Sequence, residues 1–348
     1  MTNASTLFGS GSGEEVIQTI LLEESGTFVP EHDCEAYVHV FGGGGGGGAS
    51  NTRAGTGYYS IATGGGSGAY ALSRLSFTEG TSYTVTVGAG GLGGDANTDP
   101  ESADGTAGGS TSISGSDITT MTAGGGIKGL ASHNEGLQGS ETLTQTDSVP
   151  TASGGNIFNH DGVEAGDAIA GGGNFWYRAA ASGGAAVNLS GTSTNHTSGD
   201  ASATVDDRAA ASGGAGLKGA SSAATNAASD RGDGFLRYEK QFLGFLVGNT
   251  ENGASEALSD STAYGRGTNG QINSTGPAGT AFMWAGGGAH AMANGSASDQ
   301  NADNGGLGGG GGGAAYTNDA TNHRDAVGGN GGDGLIVIQI VKVNARTA

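Results

Sequence analysis

The side chains able to do acid–base, metal or nucleophilic chemistry are few in this chain and widely spaced. Its histidines, His32, His39, His133, His160, His196, His290 and His323, show neither the H-E-x-x-H pattern nor the paired spacing of a zinc site. His160 with Asp161, and His323 with Asp325, could share a cation only if the fold brought them together. Cys34 is the single cysteine, which removes both an intramolecular disulfide framework and a cysteine zinc site. Just ahead of a strand, it reads as a small hydrophobe. No Gly-x-Ser-x-Gly elbow is present. The 33 Asp and Glu residues are spread so widely that no two stand out as a glycosidase acid and base. A Gly-x-Gly-x-x-Gly match inside seven consecutive glycines is trivial, and no Lys-Ser/Thr or helix follows it. Residues 328–334 (GGNGGDG) fit a calcium-binding nonapeptide once, but that architecture needs stacked copies, so they read as a turn into the last strand. Arg231–Gly232–Asp233 matches an integrin-type tripeptide, which an Asp233–Gly234 turn explains more simply. The chain is read as non-enzymatic and without a cofactor, apart from divalent cations held loosely by its acidity.

Aromatic residues offer a different chemistry, that of contact. Phe175–Trp176–Tyr177–Arg178 and Phe282–Met283–Trp284 contain both tryptophans, each beside a glycine cluster. Tyr264 and Tyr316 lie in polar surroundings, and Tyr58 and Tyr59 interrupt a glycine-dominated stretch. Aromatic faces on loops stack against sugar rings or anchor protein contacts. With so few large residues available, the same rings could instead cap a glycine core or bury in an oligomer interface.

Whatever positions these groups must be built largely from glycine. The chain has 348 residues, 75 of them Gly and only 4 Pro, with no strict Gly-X-Y period, so it is not collagen. Hydrophobic residues at 34% and charged residues at 13% are both below globular norms of about 45–50% and 25%. Disorder usually brings high charge and many prolines, and this chain is poor in both. Its net charge of −20 argues against nucleic acid and anionic membrane surfaces as partners. No apolar run approaches the ~20 residues that span a bilayer, so no membrane insertion is expected. The first 13 residues lack the basic and apolar regions of a secretory signal and read as a flexible lead.

The organising stretch is 36–41 (AYVHVF), an alternating strand that runs into Gly42 through Gly48. Each of those glycines costs about 0.5–1 kcal/mol relative to Ala in a regular element, so only close backbone packing would order them. Residues 14–22 and 27–30 read as a first strand pair, and 69–77 with 82–87, joined by Thr78–Glu79–Gly80, as a hairpin. Between 95 and 330, glycine clusters recur at 108–109, 124–126, 154–155, 171–173, 183–184, 213–214, 286–288 and 305–313. The aromatic segment 235–247 (FLRYEKQFLGFLV) reads as a strand pair or short helix. The β-branched run 335–343 (LIVIQIVKV) has the strength to pair with 36–41 and close the fold. Glycine runs of similar length, set side by side, can hydrogen-bond laterally in a polyproline-II-like conformation because no side chains intervene. The expected fold is all-β: a β-sandwich-like base formed by the N-terminal strands and the C-terminal strand, with a glycine-rich middle packed as polyglycine-II or extended segments. The boundaries expected are 1–26 as an N-terminal lead, 27–94 as strand base with poly-Gly, 95–327 as glycine-rich bundle and loops, and 328–348 as the closing strand.

The succession of "TFVPEHDCEAYVHVFGGGGGGG", "GGGSGAYALSRLSFTEGTSYTVTVGAGGLGG", "GTAGGSTSIS", "TAGGG" and "GGNGGDGLIVIQIV" resembles the glycine-rich domains of bacteriophage tail fibres and virion adhesins. It covers about residues 27–126 and 328–341. The resemblance implies a phage virion protein at the tail fibre or tail tip, extracellular after release. It would bind a host cell-surface receptor, a glycan or an outer-membrane protein, through loops on a glycine scaffold. Other virion tail proteins would be its partners, and it would be a homo-oligomer, with a trimer favoured. The contact candidates are Trp176, Tyr177, Trp284, Tyr264, Tyr316, Tyr58 and Tyr59. The alternatives are a structural appendage or decoration protein of a virion, or a bacterial surface or ice-binding glycine-rich protein, although no sustained threonine period is visible.

Overall fold

The computed structural model describes residues 14–53, 57–97, 101–135, 140–171, 177–184, 200–204, 209–211, 223–227, 271–272, 285–292, 300–318 and 325–343. The described residues are all-β. Strand β1 is Glu14–Leu22, β2 is Gly26–Phe28 and β3 is Cys34–Phe41. The base is a sandwich of two five-stranded sheets. One runs β1, Leu335–Val343, β3, Tyr70–Phe77, Phe158–His160; the other runs Ala152–Ser153, Ile118–Ala123, Thr111–Gly115, Tyr83–Thr86, β2. Alternation dictates which residues face inward: Ala36, Val38 and Val40 from β3 and Ile336 and Ile338 from the last strand meet Tyr83, Val85, Ile113 and Met121 from the opposite sheet. The last strand pairs antiparallel with β3 as expected, Ile338 opposite Val38.

Two expected pairings are corrected. The Tyr70–Phe77 and Tyr83–Thr86 strands are not a hairpin; the first pairs with β3 and the second with β2 and Thr111–Gly115, in opposite sheets. The turn at Thr78–Thr81 exists, with Gly80 at φ 71°, but it crosses from one sheet to the other. The reason is packing. A hairpin would leave the apolar faces of the two strands side by side, whereas the crossing packs Phe77 and Tyr83 edge to face, ring centroids 4.8 Å apart and planes at 79°. The Tyr83 hydroxyl, 2.7 Å from an Asp117 carboxylate oxygen, and the Thr78 hydroxyl, 2.8 Å from the same oxygen, lock that corner. Likewise β1 and β2 do not pair with each other. β1 lies on the last strand, so residues 14–22 belong to the base rather than to a lead of 1–26. An actual hairpin, Thr111–Gly115 with Ile118–Ala123, lies in the region read as low-complexity.

Above the sandwich the strands continue into glycine segments, and the hydrogen bonds repeat every third residue. Gly42, Gly45 and Gly48 donate to the carbonyls of Ala69, Gly66 and Thr63. Gly43 and Gly46 donate to Gly109 and Thr106, and Gly44 and Gly47 to Gly332 and Gly329. In return Gly91 and Gly94 donate to Gly44 and Gly47, Gly126 and Gly129 to Gly43 and Gly46, and Gly311 and Ala314 to Gly45 and Gly48. A threefold repeat directed outward is the signature of a three-residue-per-turn helix without internal bonds. Residues 42–48 thus form the axis of a polyglycine-II bundle, donating to three antiparallel neighbours and accepting from three parallel ones. Residues 328–334 are a member of this bundle, not a turn: Gly328, Gly331 and Gly334 donate to Gly94, Gly91 and Gly88. At about 3.1 Å per residue, seven residues carry the chain roughly 20 Å from the sandwich.

At the far end the segments open into short strands in four further sheets, with cores made almost entirely of alanine, including Ala168, Ala170, Ala179, Ala201, Ala210, Ala314 and Ala326. A Cβ on Gly45 would land on the Ile127 carbonyl, and one on Gly44 on that of Gly309. Backbone, not a movable side chain, fills both spaces. Gly45→Ala should therefore cost about 3 kcal/mol or more, as a core change that nothing can relax around. Leu92→Ala, at an exposed bundle position, should stay within about 0.5 kcal/mol. Chemical denaturation of the two variants side by side checks this.

Candidate functional site

Both ends of the bundle could act on a partner, and the residues distribute unevenly between them. Of the aromatic contact candidates, Trp176, Trp284 and Tyr264 lie outside the described residues, as do 235–247 and Arg231–Gly232–Asp233. Tyr58 belongs to the Gly57–Ala62 strand at the far end. Tyr59, Tyr177 and Tyr316 are all buried. Tyr59 and Tyr177 stand opposite each other in register on parallel strands and fill the largest alanine core. Tyr316, in the Ala314–Asn318 strand, fills a second with Ala49 and Ala326. Within the single chain these three rings supply the volume that alanine cannot. Beside them Arg178 is fully buried in the Tyr177–Ala180 strand, and Asp167 carries a carboxyl pushed up by burial and by the charge of Asp200. Among the described residues, no three His, Cys, Asp or Glu gather closely enough to hold a metal ion. No helix among them is long and apolar enough to cross a membrane.

The surface of the bundle carries a row of polar groups that the sequence reading missed. Gly93 and Gly90 donate to the Asn330 and Asp333 side chains at 2.8 and 2.7 Å. Leu92 donates to the hydroxyl of Thr106 at 2.7 Å. These side chains satisfy outward amides that no further glycine helix covers. The signal was available: in GAGGLGG (88–94) and GGNGGDG (328–334) the non-glycine residues fall every third position, which is one face of a threefold helix.

At the other end, the base sandwich is open along one side. A cleft of about 830 Å³ separates the β1 and β2 edges, floored by Ile20, Phe28, Phe77 and Ile340 and rimmed by Val29, Glu31 and His32. Cys34 also lines it, its thiol pushed up by burial and by neighbouring Asp33. Both effects disfavour its thiolate form.

One titratable group sits deep in the base. His39 is buried on β3, its Nε2 3.1 Å from the Gln339 side-chain oxygen and its Nδ1 2.9 Å from the Tyr70 hydroxyl. Gln339 Oε1 can only accept, so Nε2 carries the proton and Nδ1 accepts from Tyr70. Burial lowers the imidazole pKa to about 4, against which the Gln339 bond acts weakly. The neutral ring is thus part of the fold. Because the folded pKa lies below the unfolded one, this stabilisation is complete above about pH 6.5 and lost as pH falls towards 4, by about 3 kcal/mol in all. His39→Gln should start less stable at pH 7 yet lose markedly less on acidification, which urea titrations between pH 7 and 4 would show.

A family model described as a glycine-rich domain matches residues 23–238, more than half of the chain, which therefore belongs to that family. None of the curated proteins matches it.

Proposed function

We propose that this member of the glycine-rich domain family is a phage virion protein of tail-fibre or adhesin type, acting by binding rather than catalysis. The observation that carries the reading is the axial segment 42–48, hydrogen-bonded on all sides. It holds an apolar sandwich at one end and a set of short-strand connections at the other, at a separation that side-chain rearrangement cannot change. A scaffold of that kind suits presentation. Its rigid end would attach to tail proteins and the connections between far-end strands would meet a host glycan or outer-membrane protein, with several copies per particle adding avidity. Trp176, Trp284, Tyr264 and Tyr58 remain the contact candidates in this proposal, since Tyr59, Tyr177 and Tyr316 are occupied in packing.

Binding of purified, labelled protein to whole cells of phage-susceptible strains tests this. Saturable binding to a susceptible strain is expected, with a loss of about tenfold or more in the Trp176→Ala/Trp284→Ala variant if each ring contributes a hot-spot contact. An intact fold with no binding to any susceptible strain would favour the structural-appendage reading instead.

A further inference from the structure

We infer that the outer edge of β1, together with the cleft beside it, is a docking site for an extended strand of another protein, apolar in its middle and basic at both ends. The inference concerns the base and does not depend on the adhesin reading. β1 is an edge strand of nine residues, with the last strand on one side and no strand on the other among the described residues. Among the described residues, none of residues 16–22 has a further hydrogen bond that would occupy that outer edge. Free edges are normally blunted by charge, proline or shortness, because a row of unpaired amides and carbonyls templates another strand. Here 16–22 (VIQTILL) contains no charge and no proline, and a single bulge between Val16 and Gln18 is its one irregularity. Ile17 and Leu21 are 59% and 49% exposed, and Val29 across the cleft is 48% exposed. These are three of the most exposed large apolar residues described, gathered at one margin of the sandwich.

The cleft explains why this margin is unfinished. At the opposite margin, Ala152–Ser153 and Phe158–His160 lie against one another and close the sandwich. Between β1 and β2 only the short connection 23–25 links the sheets among the described residues, and Ile20, Phe28 and Ile340 floor a space large enough for side chains of an added strand. A strand laid along β1 would turn one face into that cleft, so main-chain bonds and apolar burial would act together.

Charge selects the occupant. Glu14 and Glu15 open β1, Glu23 and Glu24 follow it, and Glu31 stands on the cleft rim. A second copy laid antiparallel would bring Glu14 and Glu15 against Glu24 and Glu23, and like charges directly opposite are destabilising. A foreign strand with Lys or Arg at each end of an apolar core meets opposite charge at both ends instead. Such a strand also suits a chain of net charge −20.

The test uses the full chain and a synthetic peptide with two lysines at each end of an alternating Val–Thr core. The same peptide ended by glutamates serves as control. Amide exchange should slow at residues 16–22 on adding the lysine peptide. The glutamate peptide should bind at least about tenfold more weakly, and Ile17→Lys/Leu21→Lys should weaken the lysine peptide by a similar factor. Leu92→Lys, exposed on the bundle, should leave binding unchanged and control for a general charge effect. Protection elsewhere than 16–22, or equal binding by the Ile17→Lys/Leu21→Lys protein with its fold intact, would overturn the inference. So would sedimentation showing a dimer, without peptide, in which residues 16–22 are already protected, since the occupant would then be a second copy.

Discussion

Everything in this structure depends on a hydrogen bond between two backbones with no side chain between them. In a sheet, backbone bonds point in two directions and side chains fill the other two. In the bundle around 42–48 they point in three outgoing and three incoming directions, so the axial residues have no direction left for a Cβ. Glycine is required there for close approach, and its usual entropic cost is offset by complete pairing of its polar groups. A peripheral segment escapes the requirement on one face only. That is why Leu92 and Ala89 can stand at successive third positions of one segment and Asn330 and Asp333 at those of another.

The same constraint shapes both ends. Backbones joined by hydrogen bonds lie about 5 Å apart, whereas sheets stacked through full-size side chains lie about 10 Å apart. A bundle close-packed in all lateral directions cannot spread at once to the wider spacing. Alanine is the residue that fits the transition, which accounts for runs such as Ala179–Ala180–Ala181 and Ala209–Ala210–Ala211 at the far end. Three tyrosines, Tyr59, Tyr177 and Tyr316, take up the space that opens where the sheets diverge. Towards the base, only some segments continue into strands and the two sheets separate fully. There Phe28, Phe77, Tyr83, Ile113 and Met121 build a conventional core.

How much of this was legible in the sequence follows from the range of the interactions involved. The pairing of 335–343 with 36–41 could be anticipated because two strongly β-branched or aromatic strands flank all the low-complexity material. The glycine bundle could be anticipated because 42–48 had no other ordered option. Which strand pairs with which could not. Alternation in 69–77 and 82–87 fixes which side chains face inward, but a hairpin and a crossing between sheets satisfy the same alternation. The choice is made by distant strands, β3 for one and Thr111–Gly115 for the other. The hairpin at 111–123 was hidden by its Ser and Thr content, which resembles the surrounding loops, although Ile113 and Met121 carry its buried face. For the aromatic candidates, sequence type identified residues that matter to packing at the far end, but burial depends on how alanine sheets stack, which no local pattern encodes.

The division of labour that results bears on what such a chain can do. Because the bundle interior tolerates no side chain, its residues cannot carry specificity, and because its bonds run laterally in every direction, it cannot bend to adjust a site. Recognition must fall to what the bundle leaves free: outward third positions, the connections between far-end strands, and the margins of the sandwich. Among the described residues the sandwich holds most of the large apolar side chains, and it leaves Ile17 and Val29 exposed on the lining of an open cleft and Leu21 exposed on the same edge strand. In a protein otherwise so short of hydrophobic side chains, three exposed at one margin are costly in solubility unless another surface covers them. The margin between β1 and β2 is therefore where this fold is incomplete on its own, and the acidic residues around it set the sign of whatever completes it.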